Sequence, residues 1–129
     1  MATKSIAQKL LVKPGTRVWI SDLRYLELVA GIPPDADTDT GPDEADVVLA
    51  FAEDEAAARA LLERHAEALK QAPVAWIAYP KGNRSDINRD TLWPIAAEFG
   101  LRPNAQVAVD EHWSALRFRA LREGEAPFG

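Results

Sequence analysis

The stretch Asp46-Val47-Val48-Leu49-Ala50-Phe51-Ala52, answered after one helix by Pro73-Val74-Ala75-Trp76-Ile77-Ala78-Tyr79, decides the fold. Each run is nearly continuously apolar, the mark of a strand covered on both faces rather than one that alternates between core and water. Between them Asp54 offers an N-cap. Ala58, Leu61, Leu62, His65 and Leu69 then recur at helical spacing, while Glu55, Glu63, Arg64 and Glu67 form the wet face. A buried strand, an amphipathic helix and a second buried strand make a parallel βαβ unit.

Working outward toward the amino end, Arg17-Val18-Trp19-Ile20 is a third compact strand. It follows a short helix in residues 5–12 and the break Lys13-Pro14-Gly15. Leu23 to Ala30 has helical spacing and ends at Gly31 and Pro33-Pro34. Toward the carboxyl end, Asp90 or Thr91 is expected to cap a helix running to Phe99, with Pro94 in its first turn and Gly100 as its stop. Ala105 to Val109 and Ser114 to Arg119 read as a closing hairpin around Asp110-Glu111-His112-Trp113. The expected fold is therefore α/β: a three-layer sandwich with a mostly parallel sheet and a C-terminal antiparallel hairpin. Residues 1–122 are expected to form one domain and 123–129 a loose tail.

The 129 residues are 47% hydrophobic and 27% charged, an ordinary composition for a globular chain. A net charge of -5 argues against general attraction to nucleic acid or to an anionic membrane surface. No run approaches a membrane span. The absence of cysteine removes thiol chemistry and fits a reducing, cytoplasmic setting. The charge is uneven. Nine of the twenty acids and none of the fifteen bases lie in residues 35–55.

Lys13-Pro14-Gly15-Thr16-Arg17-Val18-Trp19-Ile20, Glu44 to Phe51, Ala75 to Pro80 and the terminal hairpin resemble the corresponding strands of class I S-adenosylmethionine-dependent methyltransferases. The resemblance implies a Rossmann-like fold. The turn after the first strand, Ser21-Asp22-Leu23-Arg24-Tyr25, lacks the glycines that let backbone N–H groups close on that cofactor, so no cofactor is expected. Asp37 and Asp39 stand where the family's acidic residue would follow a second strand, and the chain is short by at least one βα unit. Lys13 to Val18, Tyr79-Pro80-Lys81 and Val109 to Phe118 are more specifically similar to a family of short bacterial Rossmann-like proteins of unknown function. That resemblance implies a fold and no activity.

In an open α/β sheet, ligands bind beyond the carboxyl ends of the strands. Three stretches qualify: Ser21-Asp22, Ala52-Glu53-Asp54 and the loop from Lys81 to Asp90. The loop sets Lys81, Arg84 and Arg89 among Asn83, Asp86 and Asn88, suited to gripping a carboxylate or phosphate, with Asp22 as the facing partner. Ligand-binding candidates are therefore Asp22, Lys81, Asn83, Arg84, Asp86, Asn88 and Arg89. No catalytic residue is singled out.

Asp35, Asp37, Asp39, Asp43 and Asp46 imitate a calcium loop, but Gly41 is displaced by one position and Pro33-Pro34 deny the leading helix, so no metal site is expected. His65 reads as a half-buried, hydrogen-bonded core histidine and His112 as a turn residue. Trp19 and Trp76 read as core, and Trp93 and Trp113 as element ends. The function expected is a non-catalytic domain that binds a protein partner or a small anionic ligand and self-associates. The alternative is a degenerate methyltransferase-like transferase working through the 81–90 loop.

Overall fold

A computed structural model describes residues 6–22, 24, 25, 29, 31, 32, 35–81, 85–121 and 124, with the backbone but not the side chain of Arg89. Helix α1 spans Ile6–Lys9, strand β1 Val18–Ile20, β2 Val47–Phe51, helix α2 Glu55–Gln71 and β3 Val74–Pro80. Helix α3 spans Arg89–Glu98, β4 Leu101–Ala108 and β5 Trp113–Ala120. The architecture is α/β, with one mixed five-stranded sheet in the order β1-β2-β3-β5-β4. β1, β2 and β3 are parallel, Val47 lying beside both Val18 and Val74. β5 enters antiparallel to β3, with Ile77 opposite Leu116, and pairs antiparallel with β4 at the edge.

The continuous apolar runs are buried for the reason their composition gives. Every residue of β2 is buried, because alternate side chains feed two different clusters. Val48, Ala50, Ala75, Ile77, Leu116 and Phe118 pack with Leu62 and Leu69 of α2 and Leu92 and Ile95 of α3. Val18, Val47, Leu49, Trp76 and Ala115 pack on the opposite face with Ala7 and Leu10, joined by Val29. Trp76 fastens α1 to the sheet by donating its indole N–H to the Leu10 carbonyl at 2.9 Å.

The connection from β1 to β2 places the site. It passes first along the outer edge of β1, where Asp37 forms a parallel bridge to Arg17. Val18 N–H donates to the Asp37 carbonyl at 2.7 Å, and Asp37 N–H to the Thr16 carbonyl at 2.9 Å. Ile32 and Ala36 pack on the α1 face. The 3-10 turn Pro42–Glu44 then meets α2, and Ala45 joins the α2 face. The chain leaves β1 over one face and reaches β2 from the other. That is a topological switch point, and a crevice opens between the carboxyl ends of the two strands.

Three expectations need correction. The cap of α3 is Asn88, two or three residues earlier than Asp90 or Thr91. Pro94 is consequently the sixth helical residue and sits inside α3, where it forfeits one backbone hydrogen bond. β4 begins at Leu101, four residues before the expected Ala105. A register shift between Pro103 and Ala105 lets the strand carry its proline at the edge. The helix expected over 23–30 lies outside the described residues apart from Arg24, Tyr25 and Val29; Tyr25 N–H closes a tight turn onto the Asp22 carbonyl at 3.0 Å. The tail from 123 lies outside the described residues apart from Gly124. Among the described residues, no helix is long and apolar enough to cross a membrane.

Candidate functional site

The crevice is a cleft of about 430 Å³ between the carboxyl ends of β1 and β2 and the flank of α2. One wall is Trp19, half-buried, with the His65 ring tilted against it at 4.7 Å. Along α2 the cleft meets Ala57, Ala60, Leu61 and Arg64, the residues that a helix brings to one side at intervals of three and four. Small side chains at 57 and 60 keep that wall low. Trp19 therefore lines the cleft rather than the interior expected for it, while Trp76 is buried as expected.

The floor and mouth come from the strand ends. Ser21 ties β1 to β2: its N–H donates to the Leu49 carbonyl at 3.0 Å, and its hydroxyl accepts from Phe51 N–H at 2.8 Å. Asp22 accepts from the Arg24 backbone at 2.9 Å and from the Arg24 guanidinium at 2.9 and 2.6 Å. That guanidinium holds the Asp22 carboxyl below its ordinary range, and Asp22 in turn raises Arg24. Arg24 reaches on to Glu53 at 3.8 Å. Glu53 also accepts a hydrogen bond from the Tyr25 hydroxyl. The Tyr25 ring stacks on Phe51 at 4.5 Å and meets Trp113 edge-on at 5.0 Å. The turn after β1 is thus fastened to the end of β2 by a charge pair, a hydrogen bond and a ring stack.

Two charges at the cleft remain to be placed. Arg64 is exposed and makes no ion pair among the described residues. His65 has its pKa lowered, first by the desolvation of its half-buried ring and then by neighbouring Arg64, with Asp43 opposing the shift. It makes ring contact and, among the described residues, no hydrogen bond, so the expected hydrogen-bonded histidine is instead a stacked one.

The seven residues singled out in the sequence do not converge. Asp22 is in the cleft, bound to Arg24. Lys81 follows the carboxyl end of β3 and donates its backbone N–H to the His112 carbonyl at 2.8 Å. Asp86 caps α2, accepting from Glu55 N–H at 2.8 Å, beside Asp54, which accepts from Ala57 N–H at 2.7 Å. Asn88 caps α3, accepting from Asp90 and Thr91 N–H at 2.8 and 3.1 Å, while Thr91 Oγ1 accepts from Asn88 N–H at 2.9 Å. Both helix starts are satisfied by the chain itself. Ser85 fastens the loop by donating to the Glu53 carbonyl at 2.7 Å. Asn83, Arg84 and the Arg89 side chain lie outside the described residues. No hydrogen bond or ion pair joins Asp22 to the described part of the loop.

The sequence reading missed Arg24, Tyr25, Arg64 and the Trp19–His65 wall. The available signal was weak: Ala57, Ala60, Leu61 and Arg64 share a helix flank that looks like ordinary solvated surface. Among the described residues, no group of three or more acidic or histidine side chains is placed to hold a metal ion. The acids of 35–46 are spread along an edge, and Asp46 accepts from Arg17 N–H at 3.0 Å.

No protein-family model matches the chain, and no curated protein matches it. Solved structures share its fold. A protein of the NADB-Rossmann superfamily from Streptococcus agalactiae superposes with a TM-score of 0.56 at 12% identity, covering 98% of this chain and 72% of that one. A Streptococcus pneumoniae protein put forward as a tRNA (m1A22) methyltransferase, solved with S-adenosyl-L-methionine, gives 0.55 at 14% identity, covering 94% and 76%. A TehB-like methyltransferase from Corynebacterium glutamicum gives 0.53 at 11% identity, covering 88% and 84%. The residues here fit that cofactor poorly. The turn after β1 is built from Ser21, Asp22, Arg24 and Tyr25 with no glycine, and Tyr25 lies stacked across the strand ends. Asp37 bridges the amino end of β1, away from the cleft, where it cannot serve a ligand at the carboxyl ends. The comparisons establish a Rossmann-like, methyltransferase-like fold.

Proposed function

We propose that this chain is a non-catalytic binding domain, a three-layer Rossmann-like sandwich closed by its terminal hairpin. It takes a small anionic ligand with a flat apolar part in the cleft between β1 and β2. The observation that carries this reading is the cleft at the switch point with Arg64 at its rim and the Trp19–His65 rings as its wall. Exposed Arg64 supplies a guanidinium for a carboxylate or phosphate, and the rings supply a surface for a planar group. Asp22 is paired with Arg24 and Glu53 accepts from the Tyr25 hydroxyl, so in this reading both act as structural ties rather than as bases. The described part of the 81–90 loop, through Ser85, Asp86 and Asn88, is committed to holding the starts of α2 and α3 in place.

The test is a thermal-shift panel of nucleotides, acyl phosphates, aromatic carboxylates, S-adenosylmethionine and S-adenosylhomocysteine. A ligand present at about 100 times its dissociation constant adds about 2.7 kcal/mol of stability. A shift with an anionic member that disappears in Arg64→Ala, with the melting temperature of the unliganded chain unchanged, is the expected result. A shift with S-adenosylmethionine would replace this reading with that of a transferase. A shift that survives Arg64→Ala would move the site elsewhere.

A further inference from the structure

The two edges of the sheet are finished differently. At β1 the chain covers its own edge, where Val18 N–H donates to the Asp37 carbonyl and Asp37 N–H to the Thr16 carbonyl. Beyond β4 no further strand lies among the described residues. Asn104, Ala105, Gln106 and Ala108 are exposed there, Val107 is half-buried, and none of the five carries a charge. Proteins guard such an edge with charge, proline or a bulge. Here Pro103 and the register shift that follows it guard only the first half of β4.

The register fixes which backbone groups stay open. Val109 N–H donates to the Trp113 carbonyl at 3.0 Å, and Val107 lies opposite Ala115. Antiparallel pairs alternate between bonded and non-bonded, so Val107 and Val109 turn their peptide groups toward β5. Gln106 and Ala108 turn theirs outward. Two N–H and two C=O groups thus point away from the sheet in the unguarded half. The side chains beside them hold the strand to its own chain. Val107 packs on the α1 face, and Gln106 donates to the Tyr79 hydroxyl at 2.9 Å on the other.

We propose that residues 105–109 of β4 pair antiparallel with the same residues of a second copy of this chain, about a two-fold axis at Val107. That register sets Gln106 opposite Ala108 of the second copy and Ala108 opposite its Gln106, so all four outward groups of each chain are matched. Val107 meets its own counterpart in the non-bonded position, where paired side chains approach most closely. Over 105–109 no charges oppose one another. Charge beyond the strand ends favours the same approach. Arg102, which also has a partner within its own chain, lies near the start of β4, and Asp110 and exposed Glu111 follow its end. Antiparallel pairing brings the basic start of each strand toward the acidic turn of the other copy. The contact is isologous and the β1 edge is already covered, so assembly closes at a dimer.

The experiment pairs analytical ultracentrifugation of the full chain with residue-resolved amide hydrogen exchange, at about 5 µM and about 500 µM protein, a span over which mass action drives association. The expected result is a dimer at the higher concentration. The Gln106 and Ala108 amides then exchange at least about tenfold more slowly than in the dilute chain, while the Val109 amide, bonded to Trp113, is protected at both concentrations. Ala108→Pro removes an outward N–H and no bond to β5, and Val107→Lys sets like charges face to face on the axis. Both variants are expected to be monomeric with the circular dichroism of the wild type. A wild-type chain that is monomeric at the higher concentration overturns the proposal. So does a dimer whose Gln106 and Ala108 amides exchange as fast as in the monomer, or one of undiminished affinity in either variant. If a variant fails to fold, the wild-type exchange at Gln106 and Ala108 decides.

Discussion

At the scale of single residues, side chains that look chemically available are mostly committed to structure. Asp86 and Asn88 close helix starts, Asp22 holds Arg24, and Glu53 holds Tyr25. His65 is different, because its environment depends on pH. Its folded pKa is lowered, so the folded chain binds this proton less readily than the unfolded chain does. The stability it contributes is fully present above the unfolded value of about 6.5 and is lost as pH falls through the lower folded pKa. Thermal melts between pH 8 and pH 5 are expected to show a steeper acid-side fall in wild type than in His65→Gln. Equal slopes would show that burial of the ring does not govern its proton.

At the scale of elements, α3 shows how local chemistry overrides a plausible reading. Asp90 and Thr91 are both capable caps, yet Asn88 takes the position because Thr91 can reach back to its N–H and complete a reciprocal pair. The helix tolerates Pro94 in its interior because Leu92, Ile95 and Ala96 anchor it to the sheet. Its stability leans on that cap. Asn88→Ala is expected to cost about 1 kcal/mol in urea unfolding, with an unchanged m-value. A loss near zero would mean that neighbouring groups or water replace the cap. β4 teaches a similar lesson. The strand expected from Ala105 begins at Leu101, because an edge strand can hold Pro103 where its missing N–H faces away from the ladder.

At the scale of the whole molecule, one sheet is shared by two clusters, and neither face can be lost without exposing the other. Ile77→Ala removes a fully buried side chain on the α2 and α3 side, and Leu49→Ala removes one on the α1 side. Each is expected to cost about 2–5 kcal/mol, with tryptophan fluorescence and circular dichroism giving coincident transitions. Separate transitions would show that the two sides unfold independently.

Much of this sheet was legible beforehand. Continuous apolar runs at 46–52 and 73–79 with an amphipathic helix between them specify a buried parallel unit, because only two-sided burial favours such runs. The shift of charge from acids at 35–55 to bases beyond them was equally visible. The tertiary structure alone decided which residues meet. Periodicity within an element carries no information about the partner across a gap, so nothing in the chain announced that Trp19 faces His65, that Tyr25 covers Phe51, or that Asp86 caps a helix beginning at Glu55. The cleft is a product of connectivity. It exists because the chain leaves β1 over one face and returns to β2 from the other, a path set by long-range packing rather than by local preference.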